Sequence, residues 1–523
     1  MKTKIAAAGV LALLVLAAPA CTDLTEVPQS SITPENFYRN ADEALGGAAS
    51  VYAQLRSTND EYYNLSEIST DEMIVPTRGQ DWYDNGKWLD IHRQTFTANS
   101  AAGLDNINSA WVNLFTGVAR ANVVLNGVDA VNFTGKAGIV AELRVLRAFY
   151  YYLLMDAFGG VPIVTDPAIA ARPRNTRAEV FAFVESELKA ARPDLPVTWS
   201  AANNGRVTQG AVDAMLASLY LNAEVFTGTV SATGLTKGTQ HWQDAVNSAN
   251  AVISSGNYTL STDANTTCTG AGCGWRKNFT ADNNTSPEII FAVKYINVVD
   301  IGLNFLMRAL HYNQYNGNEA PWNGFSTLAD TYAAFDPSDR RVQIFLAGPQ
   351  VNLATGQPAI DRQGNPLVFD PNIPDVTAAT EGQGVRIDKW SLDPAHDGRN
   401  NGNDYAWFRL GEMYLIRAEA NNELGNTAAA LADINLIRAR VFSPPKPVAT
   451  GLTQAQMRTV ILNERLFELT AEGKRRQDLV RAGTFTTGTW YAKTVFDKPF
   501  KVLFPIPQIQ IETNPELVQN PGY

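Results

Sequence analysis

The stretch from Gly138 to Phe158 constrains this chain more than any other. Leu143, Leu146, Phe149, Tyr150, Leu153 and Leu154 recur at three- and four-residue steps, which puts them on one face of a helix. Gly159-Gly160-Val161-Pro162 then stops it, because a helix cannot continue through that pair of glycines and a proline. The same period returns along the chain. Asn40 and Glu43 cap a run carrying Ala44, Ala48, Val51, Tyr52 and Leu55, and Ser109 to Val128 carries Trp111, Leu114, Phe115, Val118 and Val124. Thr176 with Glu179, and Thr453 with Gln456, have capping-box form. Further helices are expected over 208–226, 242–255, 405–424 and 427–441. They come in adjacent pairs with alanines at contact spacing, such as Ala418 and Ala420, then Ala428, Ala429 and Ala432. The expectation is a mainly α fold, with tetratricopeptide-like helix hairpins as a scaffold. No strict 34-residue period accompanies them.

Between Gly256 and Asp404 the pattern changes. Gly, Asn, Asp and Pro dominate, and short apolar runs such as 289–293 read as isolated strands. This loop-rich region is expected to pack against the helices. The resulting division is 1–20 a signal segment, 21–32 a tether, 33–255 an N-terminal helical region opened by Thr33-Pro34-Glu35, 256–404 a loop-rich ligand-facing region, and 405–523 a C-terminal helical region with an extended tail.

The leader has a short basic start at Lys2 and Lys4 and an apolar run from Ile5 to Ala18, too short to span a bilayer. Ala18-Pro19-Ala20-Cys21 follows and resembles a bacterial lipoprotein cleavage site, which implies acylation of Cys21. Two of the three cysteines then remain, Cys268 and Cys273, flanking Thr-Gly-Ala-Gly. In an oxidising compartment a local disulfide is expected. A zinc site would have only two of its four ligands.

The formal net charge is -10. Nucleic-acid binding needs a basic field, so the composition argues against it. His92, His241, His311 and His396 are far apart, and no phosphate loop or Gly-x-Ser-x-Gly elbow is present. No metal or cofactor is expected. Asp393 to Asp404 is rich in Asp and Asn but lacks the ligand order of an EF-hand. Glu464 and Glu468 lie one turn apart, as an acid–base pair could, yet the surrounding Arg and Lys would hold both ionised.

Five stretches carry a family resemblance. They are 142–152 followed by Phe158 to Ile163; Arg206 to Ala211 running into Ala217 to Leu221; Phe408 to Ala420; Glu464 to Arg481; and Phe504-Pro-Ile-Pro507 with Asn514-Pro515 and Gln519 to Tyr523. Together they resemble the SusD/RagB family of outer-membrane nutrient-uptake lipoproteins. That resemblance implies a surface-exposed, lipid-anchored, non-enzymatic binding protein. Its partner would be a SusC-like TonB-dependent transporter, and its ligand an oligosaccharide or another polymer-derived nutrient. The alternatives are a secreted glycoside hydrolase and a helical-repeat adaptor without a small ligand.

Sugar capture needs flat aromatic faces and nearby hydroxyl-binding groups off the packed helix faces. Two polar loops offer them: Trp82, Tyr83 and Trp88 within 80–90, and Tyr312, Tyr315, Trp322 and Asn323 within 311–325. Trp82, Trp88, Tyr312, Tyr315, Trp322 and Asn323 are the candidate ligand residues. Trp111, Trp242 and Trp407 sit on helix faces and are expected in the core.

Overall fold

A computed structural model describes residues 38–266, 274–315, 319–494 and 498–523. The signal segment, Cys21, the tether, the Thr33-Pro34-Glu35 helix start, and Cys268 with Cys273 lie outside the described residues.

The expected helices form, and their ends follow their caps. Asn40 accepts the Glu43 backbone N–H at the start of Ala41–Gln54. Thr176 and Glu179 close a reciprocal box at Arg177–Ala191, as do Thr453 and Gln456 at Gln454–Leu469. The helix Lys136–Phe158 is buried almost all round its second half. It packs between Asn108–Asp129 on one side and Arg177–Ala191 on the other. The row continues through Gln209–Leu221 and Trp242–Ile253 to Leu410–Glu423, which meets both Thr427–Ala439 and Gln454–Leu469. Each helix buries its apolar stripe against the previous one, so the array is a single stack of hairpins. The mainly α, tetratricopeptide-like scaffold is therefore what the sequence period specifies.

One hairpin of that stack is split. Trp242–Ile253 and Leu410–Glu423 pack together, but the loop-rich segment lies between them in the chain. Its two ends are tied by an antiparallel pair of strands, Ile289–Val293 and Tyr405–Arg409, with Tyr405 opposite Val293 and Arg409 opposite Ile289. The helix expected to start at Tyr405 thus begins only at Leu410. All five residues of Tyr405–Arg409 are buried, and this continuous burial suits a two-sided strand better than an amphipathic helix turn. Trp407 is in the core as expected, but on this strand, edge-on to Phe149 with ring centroids 5.3 Å apart. Trp111 and Trp242 are also buried.

Behind this strand pair lies a buried ionic cluster. Arg409 Nη1 is 2.9 Å from Glu288 and 2.5 Å from Glu468, Arg440 Nη1 is 2.7 Å from Glu288, and Arg341 Nη1 is 2.7 Å from Glu464. Burial alone would push the Glu468 carboxyl up, but the guanidinium groups of Arg440, Arg409 and Arg341 hold it well below the usual carboxylate range. The carboxylates at 464 and 468 serve to hold the split hairpin and the inserted segment together.

Candidate functional site

The two aromatic loops meet. The first begins with Arg78 and Asp81 exchanging backbone hydrogen bonds across a two-residue turn. Trp82, Asp84 and Asn85 then adopt φ of 62°, 39° and 56°, values non-glycine residues rarely take, with Tyr83 right-handed between the first two. A short turn leads into the helix Lys87–His92, so Trp88 stands on a helix rather than in the loop expected for it. It is only 6% exposed, and its Nε1 donates to Asp84 Oδ2 at 2.7 Å. This bond pins the loop that carries Trp82.

The second loop is zipped to the end of the helix Phe305–Ala309. Trp322 N donates to Met307 O, Asn323 N to Leu310 O, and Gly324 and Phe325 N both to Arg308 O, all within 2.7–2.8 Å. Trp82 lies over this segment, donating from Nε1 to Trp322 O at 2.6 Å. Its ring meets Trp88 and Phe325 edge-on, each at 5.5 Å. Gly324 makes this approach possible, because a Cβ there would sit 2.3 Å from the Trp82 ring.

The remaining candidates divide by exposure. Trp82, Tyr312 and Trp322 are half-buried and line one open cavity of about 490 Å³ with Asp81, Asp84, Ala320 and Pro321. Tyr312 donates its hydroxyl to Asp81, and the Arg362 guanidinium lies 4.3 Å from its ring centre. Tyr315 is 4% exposed, packed with Leu306, Met307 and Leu310, and donates to Gly398 O. Asn323 is fully buried. Its Oδ1 accepts from Arg386 Nη2 at 2.7 Å, and its Nδ2 donates to Glu381 O at 3.2 Å. Trp88, Tyr315 and Asn323 thus hold the walls, while Trp82, Tyr312 and Trp322 face outward.

A second cavity of about 490 Å³ adjoins, lined by Arg78, Asp361, Arg362 and Glu381 among others. Arg362 links the two, its Nη2 donating to Asp81 at 3.3 Å, and Glu381 is its closer partner. Glu381 accepts from the Arg362 backbone N–H, the Arg362 guanidinium and His311 Nε2, the last at 2.9 Å. Burial raises this carboxyl, but these donors outweigh it and hold the group below its ordinary range. His311 is pushed down by burial. Arg78 is lowered to about 10 by burial, with Nη2 donating to Gln383 O at 2.6 Å and Ser326 Oγ at 3.2 Å. Sequence reasoning did not single out Arg362 and Glu381, which reach the aromatic loops from a stretch of turns with no period. Asp81 and Asp84 were legible only as polar neighbours of the tryptophans.

Two family models match the chain. One, described as the SusD family, covers residues 287–523, and the other, described as starch-binding and associating with the outer membrane, covers residues 37–221. A SusD-like protein of Formosa agariphila is 24% identical, over 96% of each chain. The starch-binding protein SusD of Bacteroides thetaiotaomicron is 25% identical over 88% of this chain and 85% of its own. The solved structure of surface glycan-binding protein A from Bacteroides thetaiotaomicron, in complex with laminarihexaose, has a TM-score of 0.68 at 20% identity, covering 92% of this chain and 100% of that one. With family models matching residues 37–221 and 287–523 and relatives matching nearly end to end, the chain belongs to the SusD/RagB family.

Proposed function

We propose that this protein captures an oligosaccharide on the face formed by Trp82, Tyr312 and Trp322 and hands it to a SusC-like TonB-dependent transporter, without covalent chemistry. In this reading Cys21 carries the lipid that anchors the chain at the outer surface of the outer membrane. Acylation at several positions would make that anchor stable, since one chain alone binds only marginally. The observation that carries the proposal is the cavity of about 490 Å³ in which three half-exposed rings converge on two carboxylates. Pyranose rings present apolar C–H faces and a rim of hydroxyls, so they need both kinds of surface in one place. A relative named as starch-binding and a structural neighbour solved in complex with laminarihexaose support the ligand class.

The test is calorimetric titration of the mature protein with a panel of oligosaccharides, starch- and laminarin-derived ones included. Trp82→Ala and Trp322→Ala should each weaken a confirmed ligand by about ten- to a hundredfold, corresponding to roughly 1–3 kcal/mol of stacking. Parental affinity in both variants would place the site elsewhere. Release of reducing ends from the panel by the pure protein would favour a hydrolase instead.

A further inference from the structure

We infer that the aromatic cavity selects glycans carrying a protonated amine, such as oligomers of 2-amino-2-deoxy sugars, over neutral or acidic ones. This inference rests on the reading of the Trp82–Tyr312–Trp322 face as a glycan site.

The argument starts from the charges in the cavity wall. Its lining has two ionisable groups besides Tyr312, and both are carboxylates, Asp81 and Asp84. Arg362 lines the adjoining cavity and not this one. Asp81 shares its charge, accepting from Tyr312 and, at 3.3 Å, from Arg362 Nη2. Arg362 has a closer partner in Glu381. Asp84 is different. It is exposed, one oxygen takes the Trp88 indole N–H, and no ion pair holds it among the described residues. Lys87, the nearest lysine in sequence, is drawn 2.7 Å from Asp105 instead. Asp84 is thus an oriented carboxylate at the edge of three aromatic rings, without an ion-pair partner among the described residues, although the Lys87 ammonium lies 4.8 Å from the Trp88 ring centre.

The backbone fixes this arrangement. Trp82, Asp84 and Asn85 all have positive φ, so the loop sets the ring and the carboxylate beside one another at a conformational cost. A cation entering here meets ring faces and a carboxylate together, and each attracts it. The chain already shows the preference once. Where Tyr312 and Asp81 meet the second cavity, a guanidinium lies 4.3 Å from the Tyr312 ring centre with Asp81 as one partner. The overall charge of -10 adds a field of the same sign, which repels uronate or sulfate groups.

The test compares oligomers of glucosamine, the same oligomers fully N-acetylated, and glucose oligomers of equal length, by calorimetry on the mature protein. The free-amine oligomer should bind about tenfold more tightly than either neutral one, and added salt should shrink the difference. Asp84→Asn keeps the acceptor for Trp88 and should abolish the preference, bringing the free-amine oligomer to the affinity of the neutral ones. Trp82→Ala should weaken all three. Equal affinity for the three oligomers, or an amine preference that persists in Asp84→Asn, overturns the inference. If Trp82→Ala still weakens binding in that case, the aromatic face remains the site and only its charge selectivity is wrong. Binding untouched by Trp82→Ala overturns the face and this inference together.

Discussion

Gly324 shows how much of the site depends on one residue. The Trp82 indole rests where a Cβ at this position would stand, so Gly324→Ala must push the ring outward or sideways. Overpacking of this kind costs about 1–3 kcal/mol where the neighbours cannot move. Trp82 is half-exposed and can move, so the cost should fall mainly on binding. Gly324→Ala should weaken a confirmed oligosaccharide by about tenfold or more, shift the tryptophan emission, and lower Tm only slightly. A variant with parental affinity would show that the resting position of Trp82 is immaterial. Trp82 and Trp322 could be nominated from sequence because large rings among Asp, Asn and Gly have little local core to join. The division of labour could not. Trp88 and Tyr315 sit among equally polar neighbours, yet tertiary contacts bury them, and Asn323 is buried because Arg386 needs its oxygen.

Elements were legible where a period of 3.6 persisted and caps bounded it, which is why the hairpins follow the sequence reading. Tyr405–Arg409 escaped because five consecutive buried residues have no amphipathic period. The partners of ions were equally illegible, since Arg341, Arg409 and Glu468 pair across elements far apart in sequence. One such junction has a pH consequence. Glu67, on the helix Glu61–Ile68, and Glu72 are buried side by side, accepting the backbone N–H groups of Gly473 and Ala471 respectively. Asp71, Arg475, Lys389, Glu472 and Tyr63 surround them. Burial raises both carboxyls, Glu72 to about 7, and the charge of Glu72 raises Glu67 further. A folded-state value above the unfolded one means stability that is complete below the unfolded pKa and lost as pH rises through the folded one. The contribution should therefore fade between about pH 4.5 and 7. Glu72→Gln keeps a neutral donor toward Glu67 at every pH. Its Tm should fall less than the parent's over that window, and parallel curves would refute the raised Glu72 carboxyl. The arginine-held Glu468 and Glu288, whose values are lowered, act in the opposite direction at acid pH.

At the scale of the whole molecule, the helix stack is the base and the segment inserted into its split hairpin carries Tyr312, Trp322 and Arg362. Trp82 and Asp84 come from the N-terminal region, so the site exists only where the two parts of the chain meet. That explains why the scaffold could be read from periodicity while the arrangement of the candidate face could not: its spacing is set by tertiary contacts between stretches with no common period. The proposed oligosaccharide site lies at this junction. The most direct measurement is a crystal structure of the mature protein with a ligand identified by the titration panel. A sugar ring is expected to lie flat on Trp82 or Trp322, with carbon contacts of about 3.5–4.0 Å and a polar group of the sugar directed at Asp81 or Asp84. A ligand bound elsewhere, with this face unoccupied, would contradict it.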